Sequence, residues 1–250
     1  TPLIFASEMG HTDVVRALIK AGAALDQADN DGHTPLIIAS SKGHVDVVRV
    51  LIGAGAAINH GDNTGETPLF MASRMGNVEV VRELIKAGAD ISQGDNRGRT
   101  PLFMASLYGR VDTLRELLQA GALEANPANT FKVVRGAIEG KNVDVIKMIV
   151  KRLNEDDKLR KAVPDKDAIQ NELVRFAEYT NNDELLDYLV SVGIFSKGMR
   201  KLREKDRQKK TMAEAVPKKI PTEVVREIAK FMGGRRRRKT MRKRKTKRKR

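Results

Sequence analysis

Four histidines, a complete absence of cysteine and one dense run of arginine and lysine are the features of this 250-residue chain from which chemistry could be built. Without cysteine there is no thiolate metal ligand and no disulfide, and a reducing compartment is compatible. His11 and His44 stand 33 residues apart, a spacing that would bring two imidazoles together in neighbouring layers of a repeat, like a pair of metal ligands. Both follow a glycine in the same local context, Gly10-His11 and Gly43-His44, so a structural role is the expectation for each. His33 and His60 have no carboxylate or nucleophile converging on them along the chain, and no glycine-rich phosphate loop occurs. The reading is therefore of a protein that is not an enzyme and carries no cofactor and no metal.

The basic run comprises Arg235, Arg236, Arg237, Arg238, Lys239, Arg242, Lys243, Arg244, Lys245, Lys247, Arg248, Lys249 and Arg250, which is 13 of the last 16 residues, with no acidic residue among them. The net charge of +15 is thus unevenly spread: residues 195–220 hold 10 basic and 3 acidic residues, while residues 1–194 hold 22 basic and 27 acidic. A mildly acidic body with an intensely basic end points to two jobs on one chain. Three meanings compete for the end: a nuclear import signal read by an import receptor, neutralisation of nucleic-acid phosphates, or a solubilising tail. No aromatic residue interleaves residues 235–250, so base stacking is excluded there and any nucleic-acid contact would be nonspecific. Nuclear targeting with weak nonspecific nucleic-acid binding is the expectation, with cytoplasmic residence otherwise. No apolar run approaches the roughly 20 residues that span a bilayer, and no signal peptide opens the sequence, so neither a membrane span nor secretion is expected.

The remainder of the chain must position whatever the protein recognises, and its dominant feature is repetition. Thr-Pro-Leu begins at Thr1, Thr34, Thr67 and Thr100, an interval of 33 residues each time. A fixed period of that length means stacked units, none of which can bury its apolar face alone. Within a unit, Thr34 suits a helix N-cap and Pro35 the first helical position, where a missing amide hydrogen costs nothing. Gly43 marks the end of that helix, as do Gly10, Gly76 and Gly109 in the other units. Asp46 then opens a second helix whose Val47, Val48, Leu51 and Ile52 form one apolar stripe, ended by Gly55. The Asp62-Asn63-Thr64-Gly65 group, like Asp29 to Gly32 and Asp95 to Gly98, supplies turn chemistry for a projecting loop.

These words together resemble the ankyrin repeat, with its Asp-x-x-Gly-x-Thr-Pro-Leu, Ala-x-x-x-Gly-His and Leu-x-x-x-Gly-Ala elements. One departure recurs: Ile4, Ile37, Phe70 and Phe103 replace the histidine usual after Thr-Pro-Leu, which would alter hydrogen bonding at the base of each loop. The resemblance implies an all-α ankyrin-repeat solenoid of helix-turn-helix units, and a protein partner held by loop tips and by exposed residues of the first helices. On this sequence those positions are Asn30, Asp31 and His33; Glu8 and Met9; Ser41 and Lys42; Asn63, Thr64 and Glu66; Arg74 and Met75; Asn96, Arg97 and Arg99; and Leu107 and Tyr108. They vary while the framework repeats. Arg74, Arg97, Arg99 and Arg110 are expected to form a basic patch around Met75, Leu107 and Tyr108. The alternative is that Leu107 and Tyr108 pack on the next unit and the arginines form a solvated face.

The expected organisation is four repeats in residues 1–125, the first truncated at its start, then two degenerate or capping repeats in residues 126–194 with an inserted charged connection from Asn154 to Asp167. The truncated first unit suggests repeats upstream of Thr1. A basic linker (195–220), an amphipathic helix (221–232) and a disordered basic tail (233–250) complete the chain. Val224, Val225, Ile228 and Phe231 give the helix its apolar face, and Ile220-Pro221-Thr222-Glu223-Val224-Val225 resembles the opening of an F-box, which implies recruitment of a ubiquitin-ligase adaptor. The union of ankyrin units with such a tail resembles ankyrin proteins of large DNA viruses. An interaction adaptor is the main functional reading, a substrate receptor for ubiquitination or a nonspecific nucleic-acid binder the rivals, and a monomer the expected state.

Overall fold

A computed structural model describes residues 1–193, apart from Asp165 and Asn181; the chain divides after Ile194, and the linker, amphipathic helix and basic tail expected beyond it lie outside the described residues. The described residues are helical, with no strand among them. Each Thr-Pro-Leu opens a short inner helix: α1 (Pro2–Glu8), α3 (Pro35–Lys42), α5 (Pro68–Met75) and α7 (Pro101–Leu107). The reason is local. The threonine hydroxyls of Thr1, Thr34, Thr67 and Thr100 accept from the amides of Ile4, Ile37, Phe70 and Phe103 at 3.2, 3.3, 3.2 and 3.3 Å, satisfying a donor that the helix start leaves open.

An outer helix follows each inner one after a tight turn: α2 (Thr12–Lys20), α4 (Val45–Gly53), α6 (Val78–Lys86) and α8 (Val111–Gln119). Inner packs on inner and outer on outer in sequence order, and the stacking continues beyond α8. A short α9 (Ala122–Ala125) and a 3₁₀ turn at Pro127–Asn129 lead to two more helix pairs, α10 (Thr130–Glu139) with α11 (Val143–Glu155), and α13 (Lys166–Tyr179) with α14 (Asp183–Ser191). Between those pairs, the stretch read from sequence as a charged connection holds a further helix, α12 (Asp157–Ala162). Asp156 caps it by accepting from the Leu159 amide at 2.9 Å, and Leu159 and Val163 are buried beneath it.

The core is a column of side chains running through the layers. Ile37, Phe70, Met71 and Met104 form one buried cluster, with Phe103 packed against it. Three of these, Ile37, Phe70 and Phe103, occupy the position after Thr-Pro-Leu, so apolar contact between layers takes the place of a polar group there.

Layers are also joined by hydrogen bonds. The residue after the turn glycine, or after Lys141 in the fifth unit, donates to the carbonyl end of the inner helix one layer earlier: His44 Nε2 to the Glu8 carbonyl at 2.9 Å, Asn77 Nδ2 to Ser41 at 2.9 Å, Arg110 Nε to Arg74 at 3.1 Å, and Asn142 Nδ2 to Ser106 at 3.1 Å. His44 is thus a structural donor, as its Gly-His context suggests. The glycine makes room for it. A Cβ at Gly43, whose φ is 80°, would lie 3.0 Å from Asn77 Oδ1, and one at Gly109 would lie 2.4 Å from Asn142 Oδ1.

The fifth unit departs from this design. Lys141 takes the left-handed conformation, with φ of 55°, at the place where earlier units use glycine. Gly140 beside it lies so close to α7 that a Cβ would stand 2.1 Å from the Leu107 carbonyl oxygen. Lys141→Gly should therefore raise the urea midpoint, by the equivalent of about 1 kcal/mol. Gly140→Ala should lower it by about 1–3 kcal/mol, because the inner helices must move apart. Urea denaturation followed by circular dichroism checks both signs, and equal effects from the two substitutions would contradict this account.

Candidate protein-binding surface

The projecting loops are held by one carboxylate each. Asp29 Oδ1 accepts from the amides of Asp31 and His33 at 3.0 and 2.8 Å; Asp62 Oδ1 accepts from those of Thr64 and Glu66 at 2.8 and 2.9 Å; Asp95 Oδ1 accepts from those of Arg97 and Arg99 at 3.0 and 2.8 Å. The loops then bond to one another. Asn63 Nδ2 donates to the Asn30 carbonyl at 2.9 Å and Asn96 Nδ2 to the Asn63 carbonyl at 3.2 Å, while the Asn63 and Asn96 amides reach the Asp31 and Thr64 carbonyls at 3.1 and 2.9 Å. Asn63 and Asn96, read from sequence as recognition positions, thus spend their side chains on the neighbouring loop. The Thr64 hydroxyl is likewise bonded, to Asp62 Oδ1 at 2.8 Å.

The side chain before Thr-Pro-Leu at His33, Glu66 and Arg99 reaches an adjacent loop. His33 lies between two carboxylates, with Nδ1 at 3.2 Å from Asp29 Oδ2 and Nε2 at 3.6 Å from Asp62 Oδ2. Two carboxylates thus face His33, one from its own loop and one from the next, where the sequence reading found none converging on it. Asp29, Asp31 and His33 also bring ligand-type atoms within 4.8 Å of one another, a proximity that sequence reading missed although the three share one five-residue turn. Glu66 is buried between two guanidinium groups, Arg74 Nη1 at 2.9 Å and Arg99 Nη2 at 3.3 Å. Arg99 also grips Asp95 Oδ2 through Nη2 at 2.5 Å, and its guanidinium carbon lies 5.7 Å from the centre of the Phe70 ring.

These contacts correct the expected basic patch. Arg74 and Arg99 are neutralised by Glu66 and Asp95, and Arg110 is committed to the carbonyl of Arg74. Of the four arginines only Arg97 is exposed without a side-chain partner among the described residues. Lys42 pairs with Glu8 at 3.0 Å.

What the polar framework leaves open is apolar. Met75 and Tyr108 are 46% and 50% exposed at the ends of successive inner helices, with Leu107 half-buried beside them. Tyr108 is therefore not covered by the fifth unit, although the Leu107 carbonyl accepts from Asn142 at 3.2 Å. Met9, 33 residues before Lys42 and 66 before Met75, is exposed at the equivalent place, and Tyr179 is exposed at the end of α13. Met9 is among the positions that the repeat register named; Tyr179 falls in a unit without the Thr-Pro-Leu marker and gave no such signal.

A concavity of about 710 Å³ lies among the outer helices, lined by Arg115, Lys147, Met148, Lys151, Arg152 and Tyr188 among others. Each of its cations has an acidic partner: Asp112 for Arg115, Glu184 for Lys147, Glu155 for Lys151 and Glu124 for Arg152. No uncompensated positive charge is left there to attract an anion.

Burial works against ionisation of Asp95, but hydrogen bonds from the Arg99 side chain and from the Arg99 and Arg97 amides outweigh it and hold the carboxyl below the usual range. A carboxylate with a lowered folded pKa stabilises the native state above its unfolded value, near 3.9, and that contribution disappears as pH falls through the folded value. Urea midpoints measured between pH 5 and pH 2 should therefore fall steeply below about pH 4. Asp95→Asn should start lower at pH 5 and show a shallower fall; an unchanged acid slope in that variant would refute the assignment.

The framework residues have counterparts in known sequences. The family described as ankyrin repeats (3 copies) matches residues 1–62 and 51–129, which together span just over half of the chain. No curated protein matches the chain as a relative. Four register-matched helix pairs, their capping threonines and the family match over the same residues agree, and the chain belongs to the ankyrin repeat family.

Proposed function

We propose that this chain is a non-catalytic interaction scaffold that holds a protein partner against its inner helices, around Met75, Leu107 and Tyr108, with Asp31 and Arg97 contacting it from the loop tips. Ankyrin repeats are protein-interaction modules, and that coarser role comes with the family. The observation that carries the finer reading is the contrast on one surface: polar groups bonded among themselves, and a methionine and a tyrosine left half in water 33 residues apart. Tyrosine has few rotatable bonds, loses little entropy on binding and is a frequent interface anchor, while methionine's flexible thioether adapts to the partner's surface.

The basic run from Arg235 to Arg250 serves, on this reading, to bring the complex to the nucleus through an import receptor, with nonspecific contact to nucleic acid as a secondary property. The support is compositional: 13 cations in 16 residues with no aromatic to read bases.

Two measurements address the two halves. Proximity labelling in cells with the full chain and with the Met75→Asp, Tyr108→Asp double variant should give the same set of labelled proteins except for a subset lost in the variant, whose urea midpoint should stay near that of the parent. An identical set would place the partner surface elsewhere. A fluorescent fusion lacking residues 235–250 should lose nuclear accumulation. Binding of the full chain to duplex DNA should weaken steeply with salt, with a log–log slope of about −0.9 for each phosphate neutralised; salt-independent binding would count against the tail's role.

A further inference from the structure

The bridges between loops are not all of one kind. Arg99 holds Asp95 of its own loop, with Nη2 at 2.5 Å from Oδ2, and Glu66 of the loop before, at 3.3 Å. A guanidinium keeps its charge throughout the physiological range, so that bridge is permanent. His33 occupies the same place in the loop before α3 and has a carboxylate on either side. Asp29 Oδ2 of its own loop lies 3.2 Å from Nδ1, and Asp62 Oδ2 of the next loop lies 3.6 Å from Nε2.

An imidazole differs from a guanidinium in its protons. The neutral ring has one N–H and one lone pair, so it can donate to Asp29 or to Asp62 but not to both. With Nδ1–H given to Asp29, the Nε2 lone pair faces a carboxylate oxygen and the contact is repulsive. With both nitrogens protonated, the ring donates on each side and carries a positive charge between two negative ones. The Asp62 side chain makes this difference count, because it is only 5% exposed. Its Oδ1 is taken by the amides of Thr64 and Glu66 and by the Thr64 hydroxyl, while Oδ2 has His33 alone within ion-pair distance among the described residues. An ionised oxygen so placed is poorly served by water and gains from a protonated partner. Asp31 adds a third carboxylate, with an oxygen within 4.8 Å of a ring nitrogen, and none of the three has a Lys or Arg partner among the described residues.

We infer that His33 is a proton-operated clamp between the loops of residues 29–33 and 62–66. Protonation closes the bridge from Asp29 through the ring to Asp62. Deprotonation opens it and leaves the tips held by the bonds of Asn63 to the Asn30 and Asp31 carbonyls. The clamp operates between about pH 8 and pH 5, where histidine changes charge while carboxylates stay ionised. Its contribution is present on the acid side of that window and lost as pH rises through it. The next junction is built from Glu66, Arg74 and Arg99, whose charges do not change there. If a partner rests on Asp31, as proposed above, acidification firms the loop it meets; the clamp itself does not depend on that reading.

Amide exchange tests the clamp with a control inside the same molecule. The Asn63 amide donates to the Asp31 carbonyl at 3.1 Å across the first junction, and the Asn96 amide to the Thr64 carbonyl at 2.9 Å across the second. Both are followed in the full chain, with a chelator present so that no metal ion can substitute for the proton. Between pH 8 and pH 5.5 the protection factor of Asn63 should rise roughly two- to fivefold relative to that of Asn96. His33→Arg should hold Asn63 at the high value at both pH values, and His33→Gln should hold it at the low one. Urea midpoints of both variants at pH 8 should stay near that of the parent, which separates the clamp from general loss of structure. A rise that survives His33→Gln, a rise shared equally by Asn96, or no rise in the parent would overturn the inference.

Discussion

The second to fifth layers of this array are each tied to the one before by a side-chain N–H that reaches across to the open carbonyl end of an inner helix. A helix leaves its last carbonyls without internal partners, and burying them between layers unbonded would cost about 1–3 kcal/mol each. Because the acceptor is backbone, the donor is free to be histidine, asparagine or arginine, and all three occur, at 2.9 to 3.1 Å. The turn glycine of one layer and the donor of the next therefore form one device divided between distant parts of the sequence. The glycine's missing side chain is the space into which the donor fits.

The same economy governs the loops. Asp29, Asp62 and Asp95 each fold their own turn with one oxygen, and Asp29 and Asp95 use the second on the side chain of the residue before Thr-Pro-Leu. Glu66 between Arg74 and Arg99 extends this from loop to inner helix and to the next loop. Charge on this surface is largely closed within the molecule, which leaves shape and apolar contact at Met75 and Tyr108 to distinguish one partner from another. A frame fixed before binding does not have to be ordered during it.

Helix starts were plain in the sequence because the threonine hydroxyl that caps them is specific to few residue types, and Thr-Pro-Leu repeats at a strict interval. The interlayer donors were legible only as a glycine followed by something variable; His44 was recognised as structural, but nothing in Arg110 or Asn142 announces the same role. The triad of Glu66, Arg74 and Arg99 was hidden for a related reason. Its members look like separate loop and surface charges until residues 33 apart are placed side by side. Helix α12 escaped because its buried contribution is small, Leu159 and Val163 in an otherwise charged stretch, so periodicity had almost nothing to register. At the candidate site, the exposed pair Met75 and Tyr108 could be named from register alone, while the engagement of Asn63 and Asn96 by neighbouring loops could not.

The bonds between layers described above each cross one boundary and go no further, so distant layers communicate only through those between them. Such a molecule is, under load, a series of links joined only to their neighbours. Pulled from its ends, it is expected to yield layer by layer, each release of a 33-residue unit paying out roughly 110 Å of contour.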